Sequence, residues 1–151
     1  MKTIICDLDG TLFNIEHRLH LLEEKRFDEF YAACKDDTPN EWCVELLNAL
    51  IFGNRNDCSP QYNLMFISGR SEVVREETQR QLTLLGLYDL PLYMRPKSNH
   101  DADYKFKSRL FDNIPALCEA DILFVIEDRT RVVEMWRAKG LTVLQCAGEG
   151  Y

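Results

Sequence analysis

The sequence predicts an α/β fold whose central sheet is parallel and covered on both faces. Three observations carry that reading. Short apolar runs alternate with helix-like segments along all 151 residues. Successive strands joined through helices pair in parallel, with both sheet faces buried. Four of the runs also end on polar residues that can do chemistry, and parallel sheets bind ligands at the carboxyl ends of their strands.

The elements follow in order. "TIIC" (Thr3–Cys6) is an apolar run that ends at Asp7. A charged, helix-rich segment runs from Ile15 to Lys35. "TPNE" reads as a helix start, with Thr38 as cap, Pro39 in the first turn and Glu41 completing a capping box. Val44, Leu46, Leu47, Leu50 and Ile51 continue that helix. "NLMFI" (Asn63–Ile67) is the next strand, ending at Ser68, and the helix from Ser71 stops at Gly86. "LPLYM" (Leu90–Met94) ends at Arg95, with a helix near Lys107–Cys118. "ILFVI" (Ile122–Ile126) ends at Glu127, the helix Thr130–Lys139 is closed by Gly140, and "LTVLQ" is the last strand.

Bulk properties narrow the function. A chain this long fits one domain and buries about two-thirds of its unfolded surface. No apolar run approaches the roughly 20 residues of a membrane helix. "MKTIICD" is not a signal peptide, because Asp7 cuts its apolar run. Cys6, Cys34, Cys43, Cys58, Cys118 and Cys146 form no C-x-x-C pair and are expected as reduced thiols of a cytoplasmic protein. The net charge of −7 argues against coating a nucleic-acid duplex, though it leaves room for a local basic pocket.

"DLDGT" poses the functional question. Asp-Gly between apolar residues is a hairpin signal, yet a hairpin does not explain why later strands also end on Ser68, Arg95 and Glu127–Asp128. Those stations fall on one sheet edge and suit phosphoryl transfer through an aspartyl-phosphate. Asp7 is the candidate nucleophile. Asp9 is placed to give and take a proton, and repulsion from Asp7 is expected to keep it partly protonated. Gly10 permits the turn and Thr11 adds a hydroxyl. Ser68 and the Gly69 amide suit phosphate oxygens, Lys107 (with Lys105 close behind) suits the bridging cation, and Glu127 and Asp128 offer the hard oxygens that Mg²⁺ prefers.

These motifs resemble the haloacid dehalogenase superfamily of aspartate-nucleophile phosphatases: "DLDGT", "SGR", a downstream lysine and the acidic pair after "FVI". "MRP", "DADYKFKSRLF" and "EDRTRVVEMWRAKGL" are similar to the 3′-phosphatase domain of bacteriophage-type polynucleotide kinases. The resemblance implies a Rossmann-like three-layer α/β/α domain over residues 1–151, with a small helical cap insertion at about 13–37. It implies Mg²⁺ as cofactor, with Asp7, Asp9, Asp128 and Glu127 at the metal, and a 3′-phosphorylated nucleic-acid end as substrate. Ser68, Arg70 and Lys107 would contact phosphate, and Arg95 and Arg129 the phosphodiester or the site wall. Glu127 departs from the usual Asp-Asp pair. No G-x-x-x-x-G-K-[ST] occurs and the chain opens directly on the first strand, so a polynucleotide kinase or ligase is expected as a separate partner.

Blander readings stand beside these. The cap would also suit a free nucleotide or another small phosphate ester, and a non-catalytic binding module on the same fold is a third class. Arg70 reads equally well as a structural ion-pair residue. His17 and His20 have no apparent third metal ligand and read as solvated or substrate-facing. Phe27, Phe30 and Tyr31 read as packing before base stacking. Trp136, Met135 and Val132 read as a buried helix face, and Cys6 as a packing thiol. Arg95, Lys97, Lys105, Lys107 and Arg109 form the densest basic stretch, suited to attracting a nucleic-acid end without reading its sequence.

Overall fold

The computed structural model describes residues 1–52 and 60–147. Five parallel strands make the sheet: β1 (Thr3–Cys6), β4 (Asn63–Ser71), β5 (Leu92–Arg95), β6 (Ile122–Glu127) and β7 (Val143–Gln145). Their order is β5-β4-β1-β6-β7. The chain builds outward from β1 in one direction and then returns to its other side, so β1 is the switch point where such sheets open a ligand crevice.

Alternation along β1 feeds two cores. Ile4 and Cys6 join Leu47, Phe66 and Leu82 under α3 (Glu41–Phe52) and α4 (Arg75–Leu84). Ile5 joins Leu117, Val133 and Trp136 under α5 (Asp103–Asn113), α6 (Pro115–Cys118) and α7 (Thr130–Ala138). Helices on both faces give three layers. Trp136 and Val132 are buried as their spacing predicted. A third, smaller cluster of Ile15, Leu21 and Phe30 ties together the short helices α1 (Leu19–Glu23) and α2 (Phe27–Ala32), which lie between β1 and α3.

Four elements differ from the sequence reading, the first being the helix expected from Ser71, which begins as α4 at Arg75 after a 3-10 turn over Glu72–Val74. The helix expected from "TPNE" begins at Glu41, because Thr38–Pro39 form a two-residue strand, β3, antiparallel to β2 (Phe13–Asn14). Asn40 takes the place assigned to Thr38: its carbonyl accepts the Cys43 and Val44 N–H groups at 3.0 and 3.1 Å, and its side chain donates to the Thr11 carbonyl at 2.7 Å. The helix expected near Lys107–Cys118 starts earlier, at Asp103, and divides before Pro115, which lacks an N–H and holds Ile114 extended (φ −105°, ψ 111°). The strand expected to end at Ser68 runs on to Ser71, with its pairing to β5 interrupted between Ile67 and Ser71.

Among the described residues Cys6, Cys34, Cys43, Cys118 and Cys146 are free thiols; Cys58 lies outside them. No helix among those residues is long and apolar enough to cross a membrane.

Candidate active site

Asp7 is the first residue past β1, and its N–H donates to the Ile126 carbonyl at 3.0 Å, so the neighbouring strand fixes where the side chain emerges. The chain then folds back: the Thr11 and Phe13 N–H groups both donate to the Leu8 carbonyl, and Gly10 sits at φ +85°, where a side chain would be strained. "DLDGT" is therefore a strand-terminal loop and not a hairpin of β1.

Asp7 enters a buried cluster of unlike charges. Lys107, projecting from α5, donates to Asp7 Oδ1 at 2.7 Å and to Glu127 Oε2 at 2.8 Å, and lies 3.3 Å from Asp103 Oδ2. Thr11 Oγ1 donates to Asp7 Oδ2 at 3.3 Å. The two lysines the sequence left open sit in different surroundings. Lys107 is buried on the carboxylates, whereas Lys105 is exposed with its ammonium 5.9 Å from the Tyr104 ring.

Oxygens of Asp7, Glu127 and Asp128 lie within 4.8 Å of one another. Among the described residues both carboxylate oxygens of Asp128 are buried without a hydrogen-bond partner. Burial, with Glu127 next, pushes Asp7 up to about 8 against the pull of Lys107. Burial also pushes Glu127 up to about 7 and raises Asp128, which Asp7 raises further. Even with Arg129, whose charge also acts on Asp128, the three carboxylates outnumber the positive groups beside them. Hard oxygen donors, an unpartnered buried carboxylate and that deficit together fit a divalent cation such as Mg²⁺.

Asp9 has a different environment from the one expected. Arg18 Nη2 and Arg70 Nε both donate to its Oδ1, at 2.9 and 2.6 Å. Burial favours the neutral carboxyl, but Arg70 and Arg18 outweigh it and hold Asp9 below the usual carboxylate range. The expected repulsion from Asp7 is overruled, and the raised carboxyl is Asp7 itself. The Asp9 carboxylate is likewise not drawn into the acidic trio.

Arg70 is fully buried and spends every nitrogen inside the protein, on Asp9, Asp37, Thr78 and Gln81. The structure thus places it as an ion-pair residue beneath Asp9. Ser68 is also buried and its Oγ accepts the Arg70 N–H at 3.1 Å. Arg95 donates to the Gly69 and Asp101 carbonyls, Asn99 and Asp103, bracing the cleft. A Cβ on Gly69 would stand 2.5 Å from Asp103 Oδ1, so a larger residue here would push the Asp103 carboxylate from its place. Arg129 lines the cleft, where Asp103 and Asp128 raise it despite burial.

Three contributors were missed. Arg18 is buried within the segment that read as charged and helix-rich, Asp37 is buried just past its end, and nothing in the spacing marks either. Asp103 had a signal: it precedes Lys107 by four residues, hence shares its helix face. Among the described residues His17 and His20 join no cluster of metal-ligating side chains; His17 Nε2 lies 2.8 Å from Asp37 Oδ1. Phe30 is buried under the Arg18 guanidinium, 4.2 Å from its ring centre, as packing predicts, whereas Phe27 is exposed.

Above these groups opens a cleft of about 570 Å³, with Asp7, Asp9, Gly69 and Arg129 in its lining. Residues 1–151 match the model of the "Polynucleotide kinase PNKP phosphatase domain" family. A protein of Autographa californica nuclear polyhedrosis virus, named "Putative bifunctional polynucleotide kinase/RNA ligase", is 28% identical over 137 residues, covering 90% of this chain and 18% of that protein. A chain in the solved Pnkp1/Rnl/Hen1 complex superposes with a TM-score of 0.77 at 28% identity, over 99% of this chain and 47% of that one. A phospho-aspartyl intermediate analogue of phosphoserine phosphatase shares the fold, with a TM-score of 0.56 at 18% identity over 97% and 87% of the two chains. The chain thus spans less than a fifth of that viral relative and about half of the chain in the Pnkp1/Rnl/Hen1 complex.

Proposed function

This chain belongs to the polynucleotide kinase PNKP phosphatase domain family, within the haloacid dehalogenase phosphatases, and we propose from that premise that it is a Mg²⁺-dependent phosphomonoesterase removing 3′-phosphates from nucleic-acid ends. The observation that carries the reading is the placement of Asp7: Oδ1 on Lys107, beside Glu127 and Asp128, at the floor of an open cleft.

Asp7 attacks phosphorus, the bond to the ester oxygen breaks, and Asp7 carries the phosphoryl group until water hydrolyses it. Lys107 holds the attacking carboxylate in place and keeps its charge, because Asp103, Asp7 and Glu127 together outweigh the burial that opposes it. When bound by Asp7, Asp128 and Glu127, Mg²⁺ supplies the positive charge that lets a carboxylate meet a phosphate. Asp9, kept ionised by its two arginines, is poised as the base that takes the proton of the hydrolytic water. In the first step it relays to the leaving oxygen a proton brought in by the phosphomonoester monoanion, whose second ionisation lies at about pH 6. The Gly69 backbone lies at the same floor, where its amide suits an equatorial phosphate oxygen.

We assign the segment holding α1 and α2 as a small cap on a single domain. Relatives named for kinase, RNA ligase and Hen1 components support kinase and ligase activities working alongside this one. The test is phosphate release, with Mg²⁺ and with EDTA, from four substrates: a 3′-phosphorylated oligonucleotide, its 5′ twin, a 3′-mononucleotide and a 5′-mononucleotide. Metal-dependent release from the 3′-phosphorylated oligonucleotide supports the proposal. Preference for mononucleotides replaces it with a nucleotidase.

A further inference from the structure

The cap side of the cleft carries two features that packing does not explain. Phe27 opens α2 with half its surface exposed (51%), although Phe30 on the same helix is buried. Tyr31, four residues on, shares its helix side, and both rings line the cleft that holds Asp7 and Asp9. A large apolar ring exposed beside a charged floor is poorly placed unless something flat and apolar covers it.

The second feature is Lys25. The turn between α1 and α2 closes with the Arg26 N–H on the Leu21 carbonyl (2.8 Å) and the Lys25 N–H on the Leu22 carbonyl (3.0 Å). This is the Schellman arrangement, whose left-handed residue is ordinarily glycine. Here it is Lys25, at φ +57°. A side chain costs stability in that conformation, and this one also lines the cleft. A strained residue at a functional mouth points to a use for its side chain.

We propose that Lys25, Phe27 and Tyr31 form a nucleotide-recognition subsite. The terminal base of a 3′-phosphorylated strand stacks on Phe27 beside Tyr31, and Lys25 meets the phosphodiester leading to the next nucleotide. Stacking suits every base, because each has a π-face, so recognition is of a nucleic-acid end irrespective of sequence. Lys97 also lines the cleft, in a chain of net charge −7. The inference rests on the phosphatase reading above and deepens it by making the cap the selector of substrate class.

The test compares wild type, Phe27→Ala, Phe27→Trp and Lys25→Gly on three substrates: a 3′-phosphorylated oligonucleotide, the same strand lacking its terminal base, and glycerol phosphate. Phe27→Ala should lower kcat/KM on the intact strand, relative to glycerol phosphate, by about tenfold, mostly through KM. Phe27→Trp should restore it, and the abasic strand should show little difference between the two variants. Lys25→Gly should raise Tm while raising the KM for the strand, and should make log KM less steep against log salt by about 0.7, one single-strand phosphate contact. Equal losses on glycerol phosphate, or unaltered KM in both variants while wild type still cleaves the strand, overturn the subsite and leave the phosphatase reading standing. Wild-type protein that cleaves glycerol phosphate but no oligonucleotide overturns both.

Discussion

Arg18 and Asp37 are joined by two parallel hydrogen bonds, Nε to Oδ1 at 2.7 Å and Nη2 to Oδ2 at 2.6 Å, with both side chains wholly shielded from water. Arg70 donates to the same Oδ2 at 2.7 Å, and both arginines reach on to Asp9. Two guanidinium groups and two carboxylates thus form a balanced buried group. Asp37, which does not line the cleft, orients Asp9, which does.

Removing one partner from such a group leaves an uncompensated buried charge, at a cost of about 3–5 kcal/mol. Asp37 accepts three of the arginine hydrogen bonds and Asp9 two. Asp37→Asn should therefore destabilise the fold more than Asp9→Asn, read as a larger drop in urea midpoint at unchanged slope. Equal midpoints would show that Asp37 is not the anchor.

Asp7→Asn should reduce phosphate release by roughly 10⁴-fold or more, as loss of a covalent nucleophile does. The same change relieves a carboxyl whose pKa burial and Glu127 push up to about 8. Metal-free Asp7→Asn should then melt no lower than wild type at pH 8. Full activity in this variant would remove Asp7 as nucleophile; a large loss of Tm would show that the Lys107 contact dominates its energetics.

Asp9→Asn separates the proton role from the structural one. Loss of a positioned acid or base costs about 10²–10⁴-fold, and the loss should be greatest for alkyl esters such as a 3′-phosphorylated strand. Nitrophenyl phosphate, whose leaving group departs without a proton, should lose much less. Equal losses on both substrates would contradict proton transfer to the leaving oxygen.

Legibility in the sequence followed the kind of signal each residue carried. Asp7, Glu127 and Asp128 could be placed because the ends of apolar runs locate one sheet edge, and a parallel sheet brings such ends together whatever their separation. Arg18 and Asp37 could not, since a charge on a short turn or connecting segment looks the same whether it meets solvent or a buried partner. The same gap explains Asp9: its neighbour in the chain is Asp7, but its neighbours in space are two arginines, one from the 3-10 turn Glu16–Arg18 and one from β4. Thr38 failed as a cap for another reason. Its capping-box pattern was genuine, but pairing with Asn14 held it extended and Asn40 supplied the helix start.

The acidic trio also predicts how stability responds to pH and metal. Asp7 at about 8 and Glu127 at about 7 keep protons in the folded chain that the unfolded chain, with ordinary carboxyls near pH 4, has released. Folding therefore takes up protons between about pH 4 and 8, and this contribution to metal-free stability falls as pH rises through that window. Asp9 and Asp103 act in the opposite sense, since both are held below the usual range and lose their contribution only in acid. A cation at the trio competes with its protons, so Mg²⁺ should stabilise more at pH 8 than at pH 5.5. A hundredfold excess over Kd adds about 2.7 kcal/mol, or roughly 5–10 °C in Tm for 150 residues. Melts with Mg²⁺ and with EDTA at the two pH values read this directly, and Asp128→Asn should flatten the difference. A Mg²⁺ gain independent of pH would mean that the metal and the protons do not share Asp7, Glu127 and Asp128.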